Sequence, residues 1–152
     1  MIKILIQIAA AMVGTLGFCL IFHVDRRHLP VPTIGGGLCW AIYLFLNRAA
    51  GLPLFPATFL TALLIGTYGE IMAHVRRVPT TVYFIPSCIP LIPGGNLYYM
   101  LTGLIDADYT AASQNAVQLV LYTLGIASGL AVVMELDHMR RQLIVKRGKK
   151  SG

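Results

Sequence analysis

The chain has 152 residues, 57 % of them apolar and 12 % charged, with a mean hydropathy of +0.73 and a net charge of +6. By length this is one domain, and the balance of apolar and charged residues places it among membrane proteins rather than soluble ones. The positive charge does not imply a nucleic-acid partner, because the basic residues sit in short loops and in a tail, RRQLIVKRGKK, that has no aromatic platform.

From the N-terminus, MIKILIQIAAAMVGTLGFCLIF is basic and then apolar, as a signal peptide is, but its apolar run is too long for a signal core. An uncleaved first span is expected. Charged residues divide the rest so that uncharged windows cover 4–24, 28–47, 49–69, 78–105 and 109–134. Each is near or above the roughly 20 residues of a spanning helix. The expected fold is therefore all-α and polytopic, with five transmembrane helices over 1–139 and a basic cytoplasmic tail over 140–152. The second window, opening LPVPTIGGG, is open to a partly re-entrant path. Within it, Gly35–Gly37 is expected to be a close-packing site rather than a second break.

Lysine and arginine placement sets the orientation. Five spans put Arg26, Arg27, Arg76, Arg77, Arg140, Arg141, Lys146, Arg147, Lys149 and Lys150 on one side. Lys3 and Arg48 fall on the other, with the acidic Asp106-Ala107-Asp108 loop. The N-terminus is then outside and the C-terminus cytoplasmic, in the inner membrane of a cell. Small residues four apart, at Ala10–Gly14, Ala62–Gly66, Gly69–Ala73 and Gly125–Gly129, are spaced for close helix packing. Cys19, Cys39 and Cys88 lie in apolar runs without Cys-x-x-Cys spacing, so neither a disulfide, a metal nor a cofactor is expected.

The fourth window is the unusual one. Its 28 uncharged residues would span about 42 Å as a straight helix, against a hydrocarbon core of roughly 30 Å. Pro86, Pro90 and Pro93 each lack an amide hydrogen, which would leave the carbonyls of Val82, Pro86 and Ile89 without their usual helical donors. Gly94-Gly95 permits positive φ, and Asn96 is a candidate N-cap for a half-helix over 97–104. Charged flanks place this break at the bilayer midplane. Free carbonyls would accept from an ammonium, and a half-helix N-terminus would favour a carboxylate. Pro90, Pro93, Gly94, Gly95, Asn96 and Tyr98 are thus candidate substrate-binding residues; the competing reading is a proline kink whose backbone is satisfied by neighbouring helices.

Glu70 is the sole carboxylate inside an expected span, one turn before His74. Together they are candidates for proton or ion coupling, against the alternative of a structural pair near the cytoplasmic end. Gln114, Asn115 and Gln118 open the fifth span, and His23 and His28 flank the first loop, where solvation is expected. No Ser/His/Asp or His/Glu/His spacing lies on one span, so an enzyme is not expected.

Gly69-Glu70, Arg77, Pro79, Pro86 and above all Ile89-Pro90-Leu91-Ile92-Pro93-Gly94-Gly95 with Tyr98 resemble the threonine/serine exporter family. In length and hydropathy the whole chain is similar to the small subunit of its split, two-component members. The resemblance implies a larger exporter subunit as partner and export of threonine or serine, or of succinate. Partners are then that subunit, the small-molecule substrate, the lipid bilayer and, as a further option, a second copy of the chain. A non-transporting membrane scaffold is the alternative function.

Overall fold

The computed structural model describes residues 2–148, with side chains to 139. Six α-helices account for most of it: α1 (Ile2–Ile21), α2 (Pro30–Leu44), α3 (Leu54–Arg76), α4 (Thr81–Cys88), α5 (Gly94–Ile105) and α6 (Tyr109–Gly148). Among the described residues there is no strand, as expected of an all-α membrane protein. Three helices are long and apolar enough to cross a membrane: α1, α3 and the 109–139 part of α6. Thr81–Leu91 and α5 pass the same test only together, as a pair bent by 48° at their junction, which as one span would make a fourth.

The second expected span is shorter than its window suggested. Its α-helix has 15 residues, about 22 Å, and continues into a five-residue π-turn, Phe45–Ala49. The prolines at 30 and 32 explain the late start. In the first helical turn a missing amide hydrogen costs no hydrogen bond, so they initiate the helix rather than break it.

Helix ends follow local chemistry. Arg77 adopts a left-handed conformation (φ 55°) and its amide closes on the carbonyls of Ala73 and His74, ending α3. At the α5–α6 turn the Asp108 carboxylate accepts the Ala111 amide at 3.0 Å, capping the first turn of α6. The tail boundary expected near 140 is not a break in the backbone, since α6 runs through it; the basic side chains there lie outside the described residues.

Small residues decide how the helices meet. In a membrane no hydrophobic gain drives one helix onto another, so contact depends on close van der Waals approach. A β-carbon on Gly36 would collide with Thr15 of α1, and one on Gly35 with Ser87 of α4. On Gly37 it would lie 2.6 Å from Met12 Cγ. The triple glycine is therefore a close-packing site, joining α2 to two neighbours. Between α3 and α6, Gly125 faces Thr58, Gly129 faces Ala62 and the Phe59 carbonyl, and Val133 faces Gly66. These partners advance in steps of four on both helices, so α3 and α6 run parallel in fixed register. Threonine hydroxyls inside the contacts bond back to carbonyls one turn earlier, as Thr61 does to Ala57 at 2.7 Å, and expose no unsatisfied donor. Gly14, in contrast, has open space around it, so the Ala10–Gly14 spacing is not used there as a close contact within the described residues.

One substitution pair checks this account. In detergent, Gly36→Ala should lower thermal stability by about 1–3 kcal/mol, because branched Thr15 cannot rotate clear of the new methyl. Gly17→Ala, where nothing lies within 4 Å, should be neutral or slightly stabilising. Equal effects would remove the close-packing explanation.

Candidate functional site

The fourth span breaks where its prolines predict, but the break is built differently. After α4 the chain makes one 3₁₀ turn, Ile89–Leu91, then extends at Ile92 (ψ 123°) and enters α5 at Gly94. That 3₁₀ turn restores two of the carbonyls expected to be free. The Ile89 amide reaches the Pro86 carbonyl, and the Ile92 amide reaches the Ile89 carbonyl at 3.0 Å. A tighter i→i+3 ladder needs a donor one residue earlier than the α-helix does, which steps around the prolines at 90 and 93. The acceptor-rich face expected for an ammonium is thereby reduced.

Gly94 and Gly95 do not use left-handed backbone; the one described glycine with positive φ is Gly51. They are the first two residues of α5, and a β-carbon on either would meet nothing within 4 Å. Asn96 is not the N-cap, because that position is Pro93 and carries no side-chain bond. Instead the Asn96 amide donates to Gln118 Oε1 of α6 at 2.6 Å, tying the half-helix to the last span. The donor side of the expected site remains. Among the described residues, the Gly95 and Asn96 amides find no backbone acceptor, while Gly94 bonds to Ile92 and Leu97 to Pro93. Two amide hydrogens and the positive end of a 12-residue helix thus stand at an exposed break. Tyr98, one turn on, is 63 % exposed on the open face of α5, and Pro90 and Pro93 are half-buried. α5 packs chiefly on α6, so its remaining surface is uncovered in this chain.

Glu70 has a different setting. It lines a cavity of about 350 Å³ between α3, α4 and α6, with Asp137 of α6 and the threonines at 80 and 81. His74 does not line it: that ring is exposed, and its Nδ1–H donates to the Glu70 backbone carbonyl at 3.2 Å. Asp137, rather than His74, shares that lining with Glu70. Asp137 lies beyond the last uncharged window, near the end of the expected membrane domain. A signal was nevertheless present. Extending Ala62–Gly66 by four residues reaches Glu70, and extending Gly125–Gly129 by eight reaches Asp137. The register that seats the glycines brings the two carboxylates to one cavity.

His28 also departs from expectation. It is half-buried, and its Nδ1 lies 2.5 Å from the hydroxyl of fully buried Tyr83, linking the first loop to α4. A buried phenol needs such a partner. His23 is exposed, as expected. Among the described residues no group of His, Cys, Asp and Glu has metal-binding geometry.

The chain is 26 % identical over 112 residues to an uncharacterized protein of Haemophilus influenzae, a match covering 72 % of this chain and 36 % of that protein. The chain thus spans about a third of the relative it matches. No solved structure matches it. Residues 7–136 match the family model described as threonine/serine exporter, ThrE. Its helices are apolar enough to span a bilayer, and the chain belongs to the threonine/serine exporter family.

Proposed function

We propose that the chain is one subunit of a secondary exporter that moves a small carboxylate-bearing metabolite, of the threonine, serine or succinate class, across the inner membrane. It acts with a larger subunit of the same family, its N-terminus outside and its C-terminus in the cytoplasm. The observation that carries this reading is the exposed start of α5. Two unpaired amides at a helix N-terminus, beside glycines with open space, suit a carboxylate. Irregular backbone at membrane depth persists where it lines a cavity or is covered by protein. The uncovered face of α5 favours a second chain that completes the site. Glu70, with Asp137 across the cavity, is the candidate coupling site. Carboxylates that line a cavity at a membrane span are costly to place there and default to a functional role.

Efflux measured with this chain alone, the larger subunit alone, and both together tests the assembly. Export of amino acid or dicarboxylate only with both is expected; assembly without flux of either would favour the scaffold function. Gly95→Val should leave insertion and stability unchanged, because its side chain meets no atom of this chain, yet reduce flux at least ten-fold by filling the space before the free amides. Unchanged flux would dismiss the α5 terminus as the substrate site. Glu70→Gln should make residual transport insensitive to a pH gradient, and full transport that ignores pH in this variant would rule out its coupling role.

A further inference from the structure

The loop between α1 and α2 is tied down by a side chain rather than by its backbone. His23 turns left-handed (φ 54°) and ends α1, and the Val24 amide returns to the Cys19 carbonyl at 3.0 Å. Farther on, the His28 amide bonds to the Asp25 carbonyl at 2.8 Å. Among the described residues, the backbone hydrogen bonds made by amides 22–28 all stay within α1 and the loop itself. What reaches across to α4 is His28 Nδ1, 2.5 Å from the hydroxyl of buried Tyr83. Beside that bond the loop stands off α4. A cavity of about 390 Å³ separates them, with Phe22 and Val24 on one wall and Val78, Val82 and Ile85 on the other. A loop packed flush on the helix would leave no such space; this one is strapped across it.

We propose that His28 and Tyr83 form a pH-operated latch, which holds the first loop on α4 while the imidazole is neutral and lets it lift, opening the cavity, when the imidazole takes up a proton. A phenol keeps its hydrogen at neutral pH, so the Tyr83 hydroxyl donates and a neutral Nδ1 accepts. Protonation puts a hydrogen on Nδ1 as well, and the phenol loses its acceptor. Val31, Ala73 and Met72 around Tyr83 are apolar, and the Tyr68 hydroxyl of the same cluster donates to the Val31 carbonyl at 3.0 Å. The charges near the imidazole come from three places. His23 and Asp25 share the cavity lining, Arg26 and Arg27 lie in the same loop, and Arg76 of α3 acts on Tyr83. Neither α2 nor α4 has a charged side chain. Asp25 alone favours the cation, but it is exposed, and water screens its pull. Leaving the half-buried site restores full hydration to the imidazolium, so acid opens the latch. Histidine changes charge between about pH 5 and 8, which sets the working range. Because α4 leads directly into the break, the latch lets aqueous pH act on the segment that carries it. None of this depends on the export reading.

Val82 is half-buried in the cavity wall, so Val82→Cys reports on the loop above it. The full-length Val82→Cys chain in lipid nanodiscs is treated with a water-soluble methanethiosulfonate at about pH 5.5 and about pH 7.5. The parent chain gives the background from Cys19, Cys39 and Cys88, which are buried. Each rate is divided by that of a chain also carrying His28→Asn at the same pH, which cancels the pH dependence of thiol reactivity. Asparagine Oδ1 stands near the place of Nδ1 and accepts from Tyr83 without titrating. The ratio should be near one at the higher pH and at least about five-fold greater in acid, the scale of one lost hydrogen bond. Adding Tyr83→Phe instead should give fast labelling at both pH values. A ratio that ignores pH or falls in acid would overturn the latch, as would wild-type pH dependence in Tyr83→Phe. Should Tyr83→Phe fail to fold, wild type against His28→Asn still decides. Labelling needs neither flux nor a partner, so a pH-dependent ratio without export by the assembled pair would refute the export reading alone, and export with a pH-independent ratio would refute the latch alone.

Discussion

The structure depends above all on the close parallel contact between α3 and α6. Gly125 and Gly129 admit Thr58, Ala62 and the Phe59 carbonyl at distances that any β-carbon would forbid. Such contacts supply cohesion where water is absent, and they fix register because every second neighbour on the same face must also be small. Continued toward the C-terminal ends of both helices, the same two rows present Val133 to Gly66 and then bring Asp137 and Glu70 to one cavity. A packing device of the apolar interior thus determines where the costly charges of the molecule meet. Displacing α6 by one turn would separate them without altering either residue.

The broken crossing is governed by a different constraint. Prolines remove donors at 86, 90 and 93, and backbone carbonyls at membrane depth cannot be left to water. The chain answers locally with a 3₁₀ turn that serves the Pro86 and Ile89 carbonyls from amides one residue nearer. It does not need the left-handed glycines that the Gly-Gly pair suggests. Those glycines keep the surface bare instead, so that the α5 amides stand open while Asn96 anchors the half-helix to Gln118. The two sides of the break differ in consequence: α4 is wedged among α2 and α3, whereas α5 rests chiefly on α6 and offers its other face outward.

Much of this was legible in the chain. The membrane class, the long first, third and last crossings, the break at the fourth and the packing role of Gly35–Gly37 follow from hydropathy, proline spacing and residue size, all of which act within a few residues. The N-cap role for Asn96 was the natural local reading, since asparagine after a glycine pair has the right side chain. The helix begins three residues earlier, at Gly94, because nothing in Gly94-Gly95 opposes helical φ once Pro93 has turned the chain. His74 beside Glu70 was likewise a one-turn inference, correct about distance along the helix and silent about which face the cavity occupies.

What the sequence determined by itself is the menu of segments: where polar and apolar runs alternate, where the backbone lacks donors, and which residues are small enough to pack. Tertiary structure alone decided the pairings. Glu70 with Asp137, Asn96 with Gln118 and His28 with Tyr83 each join residues from separate segments of the chain. The physical reason is that a helix carries its own hydrogen bonds but not its neighbours. Its secondary structure is encoded within a turn, whereas the partner that faces a side chain depends on register and rotation fixed by contacts many residues away.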